Sequence, residues 1–498
     1  MRGSDAADRE HFRIGYTELP EMFFARVPPT PVAAPRLLQF NDGLAAELGL
    51  DPDVWSGPEL VSVLAGNASL AGVESIAMAY AGHPFGQWVP SLGDGRALQI
   101  GEVVDGEGRS HGLQLKGAGR TPFSRQGDGR AAVGPVLREY VLSEAMWALG
   151  IPTTRALAVV VTGEMIDRGG PEPGAILTRV ARGFVRVGTF EYFARRGQSQ
   201  AVRTLADFVI AQNSPHSLQT ANVYRSWFEG IIEAQANLIA QWMSVGFIHG
   251  VMNTDNMSVF GETIDYGPCA FMDAYDAQKV FSSIDRHGRY AYQQQPGIGL
   301  WNLTRLAECL LGLFDDDEEA AIEWAQGALG AYAEKFHAAY DERFRRKLGL
   351  QVSSEESRRL VSELLGLMAQ GKADFTLTFR GLSEGSGSTQ EGRSPLGLSP
   401  EEDLRFQAWW GEWQTALERE GQPEALRCAE MRKVNPLFIP RNHRVQQVID
   451  DWVERADLGS LKTLLEVTRQ PFDEHPNARD WARAPEPHEV IQETFCGT

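Results

Sequence analysis

The residue texture changes once, and sharply, along this chain. From about residue 78 to 190 the apolar residues come in short runs punctuated by glycine. These runs are Ala97-Leu98-Gln99-Ile100, Gly112-Leu113-Gln114-Leu115-Lys116, Ala156 to Val161, and Ala175-Ile176-Leu177-Thr178-Arg179. Short runs bounded by turn formers predict strands. One helix interrupts them: it opens near Pro135, a favoured first helical position, carries Val136, Leu137, Tyr140, Val141, Ala145, Ala148 and Leu149 at helical spacing, and stops at Gly150-Ile151-Pro152. Beyond about residue 203 the period becomes helical. Trp227, Ile231, Ala234, Leu238, Ile239, Trp242 and Met243 mark a long helix with a wide buried stripe, and further helices are predicted near 300–313, 318–349, 354–369, 402–419 and 443–455. The expected fold is α+β, a small β-rich lobe with one helix followed by a large, mainly helical lobe, joined near 190–205. Residues 1–60 read as irregular around Pro28-Pro29-Thr30-Pro31 and Pro35, with Asn41-Asp42-Gly43 opening one helix through Leu48. Ser383 to Pro400, rich in Gly, Ser and Pro, reads as a mobile loop.

Charge narrows the function classes. The net charge of −19 disfavours nucleic acid and anionic membrane surfaces as partners. Only seven of the 47 basic residues are lysines, the first being Lys116, and the stretch from Arg96 to Arg203 carries a local charge of +5. A polyanion could be held there. The four cysteines (269, 309, 428 and 496) are scattered, which fits neither a zinc site nor a disulfide scaffold. No apolar run approaches a membrane span, and the N-terminus reads as neither a signal nor a transit peptide, so a reducing cytoplasm is the expected compartment.

Ligand clefts favour lobe junctions. On the helical side lies Phe247-Ile248-His249-Gly250-Val251-Met252-Asn253-Thr254-Asp255-Asn256, and nine residues after Asn256 comes Asp265, in Ile264-Asp265-Tyr266-Gly267. Such a loop followed by a strand-end Asp offers hard oxygen ligands for Mg²⁺ and a carboxylate for a hydroxyl proton, although Asx residues also make ordinary turn hydrogen bonds. On the β side Lys116 ends an alternating strand before Gly117-Ala118-Gly119 and can offer a point charge to phosphate, with Glu139 or Glu144 of the following helix as its partner. Gly93-Asp94-Gly95-Arg96 and Gly127-Asp128-Gly129-Arg130 are turns whose glycines let backbone N–H groups approach a phosphate. Arg179 and Arg186, seven residues apart, could reach one triphosphate.

The order of these features resembles that of protein kinases: Gly-rich loop, strand lysine, helix glutamate, catalytic loop, then Asp265-Tyr266-Gly267 in place of D-F-G. His249-Gly250-Val251 departs from the kinase H-R-D. A closer resemblance is to the selenoprotein O family of kinase-like proteins, once classed as pseudokinases and understood to transfer AMP to proteins. It is carried by Leu115 to Arg125, His249 to Asn256, Asp265-Tyr266-Gly267-Pro268, Gln293-Gln294-Gln295-Pro296, Leu300-Trp301-Asn302, and Asn435-Pro436 with Ile439 to His443, across roughly residues 20 to 498. The family's Tyr-Ala-Gly-His-Gln-Phe-Gly appears here as Tyr80 to Gly86 with Pro84 in place of Gln.

The resemblance implies a kinase-like two-lobed fold: an N-terminal extension (1–77), a nucleotide-binding N-lobe (78–200), and a helical C-lobe with a C-terminal extension (201–498). It also implies a protein adenylyltransferase that binds ATP inverted and transfers AMP to Ser, Thr or Tyr hydroxyls, releasing pyrophosphate. Lys116 would bind phosphate and pair with Glu139, the glutamate 23 residues on, although Glu144, not Glu139, lies within the apolar stripe. Gly93, Gly95, Arg96, Asp128, Gly129, Arg179 and Arg186 would line the ATP site with Asp265. Asn256 and Asp265 would hold Mg²⁺ or Mn²⁺, and Asp255 would take the hydroxyl proton. Some members carry a selenocysteine or cysteine near the C-terminus; Cys496 stands there, and a regulatory disulfide with Cys269 is one expectation, a free thiol the other. A conventional kinase moving the γ-phosphate and a silent ATP-binding scaffold are the alternative functions.

Overall fold

A computed structural model describes residues 12–384 and 400–494. Its first part is built on an antiparallel sheet of eight strands: β1 (Phe24–Arg26), β2 (Arg36–Phe40), β3 (Ile76–Met78), β4 (Ala97–Val104), β5 (Ser110–Lys116), β6 (Ala131–Ala132), β7 (Arg155–Asp167) and β8 (Pro171–Ala181). The order is β1-β3-β4-β5-β8-β7-β2, with β6 paired to β8. The four strands predicted from the sequence, β4, β5, β7 and β8, are four of the five interior ones; the three-residue β3 is the fifth. Their apolar residues are buried on both faces, as Leu113, Leu115, Val159, Val160, Ile176 and Leu177 show.

Residues 12–60 do not stay irregular. They supply β1 and β2, the two opposite edges of the sheet, and three short helices, α1 (Asp42–Glu47), α2 (Pro52–Trp55) and α3 (Pro58–Leu64). Strands of three and five residues are too short for a period of two to register, and the prolines between them mask both. The expected helix start holds: the Asn41 side chain accepts from the Leu44 N–H at 3.2 Å and caps α1. The breaks drawn at 77/78 and 200/201 fall inside β3 and the helix α6 described below.

The predicted lone helix is α4 (Val133–Ala148), and it packs on β7 and β8. It has almost no wet face: Arg138, Glu139 and Glu144 are buried along with its apolar residues. The reason lies far along the chain. After it come α5 (Val187–Ala194), α6 (Ser199–Asn213), α7 (Val223–Ser244), α8 (Gln295–Phe314), α9 (Glu318–Lys347), α10 (Glu355–Gly371), α11 (Phe375–Leu382), α12 (Pro400–Glu420), α13 (Glu424–Arg432), α14 (Asn442–Arg455) and α15 (Gly459–Arg469). Helices α14 and α15 return to cover α4, and Arg138 donates to the Cys269 carbonyl (2.8 Å) and to Asn442 (2.5 Å). Helix α7 is the axis of the helical part, packed on α8 and α9. It leads into a small antiparallel ribbon, β9 (Phe247–Ile248) with β10 (Ala270–Phe271), and the segment 249–269 loops out between the two. Among the described residues no helix is long and apolar enough to cross a membrane. Cys496 lies outside the described residues, as does all but the two ends of the Ser383–Pro400 segment.

Candidate active site

Strand parity brings the first residues together. Gln114 of β5 stands opposite Arg179 of β8, so Lys116, two residues on, shares their face of the sheet, the face covered by α4. There Lys116 Nζ lies 2.5 Å from Glu139 Oε2, and Arg179 Nε lies 2.5 Å from Glu139 Oε1. One carboxylate thus holds two cations, an oxygen for each. Arg179 continues to Asp265 Oδ1 at 2.6 Å, and Arg186 reaches Asp265 Oδ2 at 3.1 Å. The result is an alternating chain, Lys116–Glu139–Arg179–Asp265–Arg186, linking the sheet to the loop after β9.

Of the two glutamates open to Lys116, Glu139 is the one in contact. Glu144 accepts instead from Arg155 (2.9 and 2.7 Å), the Ala156 N–H (3.0 Å) and Asn41 (2.7 Å). The helical wheel pointed to Glu144 because it assumes one wet face, which α4 lacks.

The electrostatics follow from burial and neighbours. Burial alone would raise the Asp265 carboxyl, but Arg186, Arg179 and Lys116 outweigh it and hold the group far below the carboxylate range. Glu139 is likewise lowered against burial by Arg179 and Lys116. Burial lowers the Lys116 ammonium, with Arg179 adding to the effect and Glu139 opposing it. Asp265 also sits in the left-handed backbone region at φ 63°, a conformation costly for a residue with a Cβ and held here by its two arginines.

Arg186 ties Asp265 to the loop. Its Nη1 also donates to the Asp255 carbonyl at 3.0 Å, and its guanidinium lies 4.5 Å over the Tyr80 ring. His249 Nε2 donates to the Ile264 carbonyl at 2.8 Å and its Nδ1 accepts from the Val251 N–H at 3.4 Å, the arrangement of a neutral ring, which burial favours; it fastens the start of the loop to the residue before Asp265. Asn256 spends its amide N–H on the Val251 carbonyl at 2.9 Å, leaving the side-chain oxygen as its donor atom. Asp255 Oδ1 is buried without a hydrogen-bond partner.

Other expected site residues stand apart from this chain of charges. The N–H groups of Gly93, Asp94 and Gly95 already donate to the carbonyls of Tyr80, Met78 and Gly93. A Cβ on Gly93 would come within 2.2 Å of the Phe123 ring, so that glycine is demanded by packing rather than by an open cradle of N–H groups. Asp128 is half exposed and gripped by Arg168 at 2.8 Å from each oxygen. Gly129 lies directly on Gly119, joined by a 3.0 Å bond from the Gly119 N–H to the Gly129 carbonyl. Arg96 sits close enough to lower Lys116 further.

The segment Tyr80 to Gly86 carries a role that sequence reasoning missed. It lies across the loop: the His83 N–H donates to Thr254 Oγ1 (3.0 Å), the Phe85 N–H to Asn253 Oδ1 (3.2 Å), and the Ala81 N–H to the Gly188 carbonyl (2.9 Å). Gly82 faces Asp255, and a Cβ there would lie 2.2 Å from Asp255 Oδ1. The motif itself was visible; its target 170 residues away was not.

The sequence profile of the family described as protein adenylyltransferase SelO matches residues 9–469. The chain is 54% identical over 489 residues to the protein nucleotidyltransferase YdiU of Rhodopseudomonas palustris strain BisB18, covering 98% of this chain and 99% of that one. It is 55% identical over 487 residues to the protein nucleotidyltransferase YdiU of Bradyrhizobium sp. strain ORS 278, with the same coverage. The chain belongs to the SelO family of protein adenylyltransferases. An enzyme of the SelO family is a nucleotidyltransferase that takes ATP and a protein as its substrates.

The two glutamates of α4 separate structure from chemistry in this SelO chain. Glu139→Gln should lower transfer by about 10²-fold, because it leaves Lys116 and Arg179 mutually repelling at a preorganised charged site. Glu144→Gln should leave transfer near the parental rate but cost about 1–3 kcal/mol, since it strips buried Arg155 of one of its two carboxylates and leaves it Glu47 alone, at 3.1 Å. Transfer kinetics and thermal denaturation of the two variants check this.

Proposed function

We propose that the chain transfers AMP from ATP to a Ser, Thr or Tyr hydroxyl of a protein, on a kinase-like two-lobed fold whose sheet part binds the nucleotide and whose helical part presents the loop. The observation that carries this reading is the alternating chain from Lys116 to Arg186. Glu139 and Asp265 hold its three cations at one place, with buried Asp94 3.9 Å from Arg186, and a triphosphate offers them further negative partners. Lys116 and Arg179 would meet phosphate oxygens from the sheet and Arg186 from the loop side, with Arg96 near Lys116; Gly93, Gly95, Asp128 and Gly129, whose polar groups are committed elsewhere, would contribute to the same nucleotide site only by shaping its walls. As Arg179 and Arg186 turn to phosphate, the oxygens of Asp265 are released.

Mg²⁺ or Mn²⁺ fits what is then left. Among the described residues no group of three or more His, Cys, Asp or Glu could hold a metal by itself, so part of its shell must come from phosphate and water. Asn256 offers an amide oxygen and Asp265 a carboxylate, whose Oδ2 is buried without a hydrogen bond. Held there, the ion would supply neutralisation of the phosphate charge. The acceptor oxygen attacks the α-phosphorus, the bond to the α–β bridging oxygen breaks, and pyrophosphate departs. Asp255, on the loop beside Arg186, takes the hydroxyl proton.

Asp255 sets the pH dependence. Burial, with Asp265 adding to it, lifts this carboxyl from the usual 3.8 to about 6 despite Arg186. Transfer should therefore fall as the pH drops through about 6, where the proton acceptor is lost. The stability sign is opposite: ionised Asp255 is costlier in the folded than in the unfolded chain above pH 6, and the cost fades as the pH falls toward 4. Asp255→Asn should thus unfold at a higher temperature than the parent at pH 8, with the difference shrinking in acid; a constant difference would refute the assignment.

The deciding experiment is label position. ATP labelled at the α-phosphate should label protein and γ-labelled ATP should not. Transfer of γ-label would make the chain a conventional kinase, and thermal stabilisation by ATP without transfer of either label would make it a scaffold.

A further inference from the structure

The C-terminal ends of four helices meet around a cavity of about 110 Å³. Its walls include Leu149, Val245 and Lys433, which cap α4, α7 and α13, and Lys347, the last residue of α9. Arg343 and Arg346 complete a rim of four cations in a chain of net charge −19, and two of its seven lysines are here. Lys433 is paired with Glu430 at 2.7 Å. Arg343, Arg346 and Lys347 form no ion pair among the described residues, and Arg343 Nε is buried without a hydrogen-bond partner.

Helix ends account for part of this charge. A C-terminus carries roughly half a negative charge, so four of them offset about two cations and leave the cavity net positive. Lys347 is only 2% exposed and has no carboxylate; its Nζ lies 4.6 Å from the Phe379 ring centroid, a contact that compensates an ammonium less well than an anion does. Burial pushes that ammonium down to about 7, an effect that a neighbouring anion would reverse.

We infer that this cavity is a binding site for a small oxyanion of the phosphate type, held by Arg343, Arg346 and Lys347. Its position gives it reach: α4 carries Glu139 and α7 feeds the loop of Asp255, so an anion here fastens together the trailing ends of both helices.

The test is thermal denaturation and calorimetry with inorganic phosphate at constant ionic strength, the ATP site being filled throughout with a non-hydrolysable ATP analogue. Phosphate should raise the melting temperature saturably. Arg343→Gln/Arg346→Gln should weaken phosphate binding at least tenfold while leaving affinity for the ATP analogue unchanged, and Lys347→Met should do the same. Arg346 is exposed, so its replacement leaves the core intact. If phosphate gives no saturable shift, or the same shift in the parent and the double variant, the cations serve only to neutralise helix ends and the inference is wrong.

Discussion

Asp265→Asn is expected to lower AMP transfer by about 10³-fold or more while leaving ATP binding in place. The loss in rate follows from removing a charge on which a preorganised site depends. The retention of binding follows from the geometry. In the parent, Asp265 occupies Arg179 at 2.6 Å and Arg186 at 3.1 Å. Without its charge Arg179 keeps Glu139 and Arg186 keeps only Asp94, 3.9 Å away, and a triphosphate becomes their best remaining partner. The variant should lose roughly 3 kcal/mol of stability, the cost of stripping a buried pair of one member. ATP should restore a larger share of that stability than it adds to the parent. Equilibrium binding, denaturation with and without ATP, and single-turnover labelling measure the three quantities separately. Parallel loss of binding and transfer would show that Asp265 holds the nucleotide rather than serving the transfer step.

Gly82→Ala should lower kcat about 10²-fold with little change in the KM for ATP. The added methyl would fall 2.2 Å from Asp255 Oδ1, and neither side can retreat easily. The segment is pinned on both sides of Gly82, by the Ala81 bond to Gly188 and the His83 bond to Thr254, while Arg186 holds the Asp255 carbonyl. Asp255 must swing its carboxylate, and misplacement of a reacting group by about 1 Å costs on this scale. Overpacking should also cost about 1–3 kcal/mol. Steady-state kinetics check the split; a change confined to the KM for ATP would remove Gly82 from any role at Asp255.

Strands β4, β5, β7 and β8, α4, the long helices and the chemistry-bearing loop could be read from local pattern, because each is long enough to show its period. The edge strands could not: three residues at Phe24–Arg26 and five at Arg36–Phe40 carry no period and gain their structure from the neighbours they close. The partner of Lys116 was ambiguous for a related reason. A helical wheel assigns a wet face, but α14 and α15, three hundred residues later, remove it. Contacts between distant segments were the least accessible. Tyr80 to Gly86 meets Asn253 and Thr254 only in three dimensions, and so does the cavity at the ends of α4, α7, α9 and α13. The turn at Gly93-Asp94-Gly95 shows the converse, a local pattern whose backbone donors the fold has already committed to its own carbonyls.

The enclosure of α4 has a consequence for control. A helix that bears an essential glutamate on an open flank can swing out and switch an enzyme off. Here α14 and α15, together with the bonds from Arg138 to Cys269 and Asn442, clamp that helix in place. An outward swing of this helix would therefore have to break those bonds first.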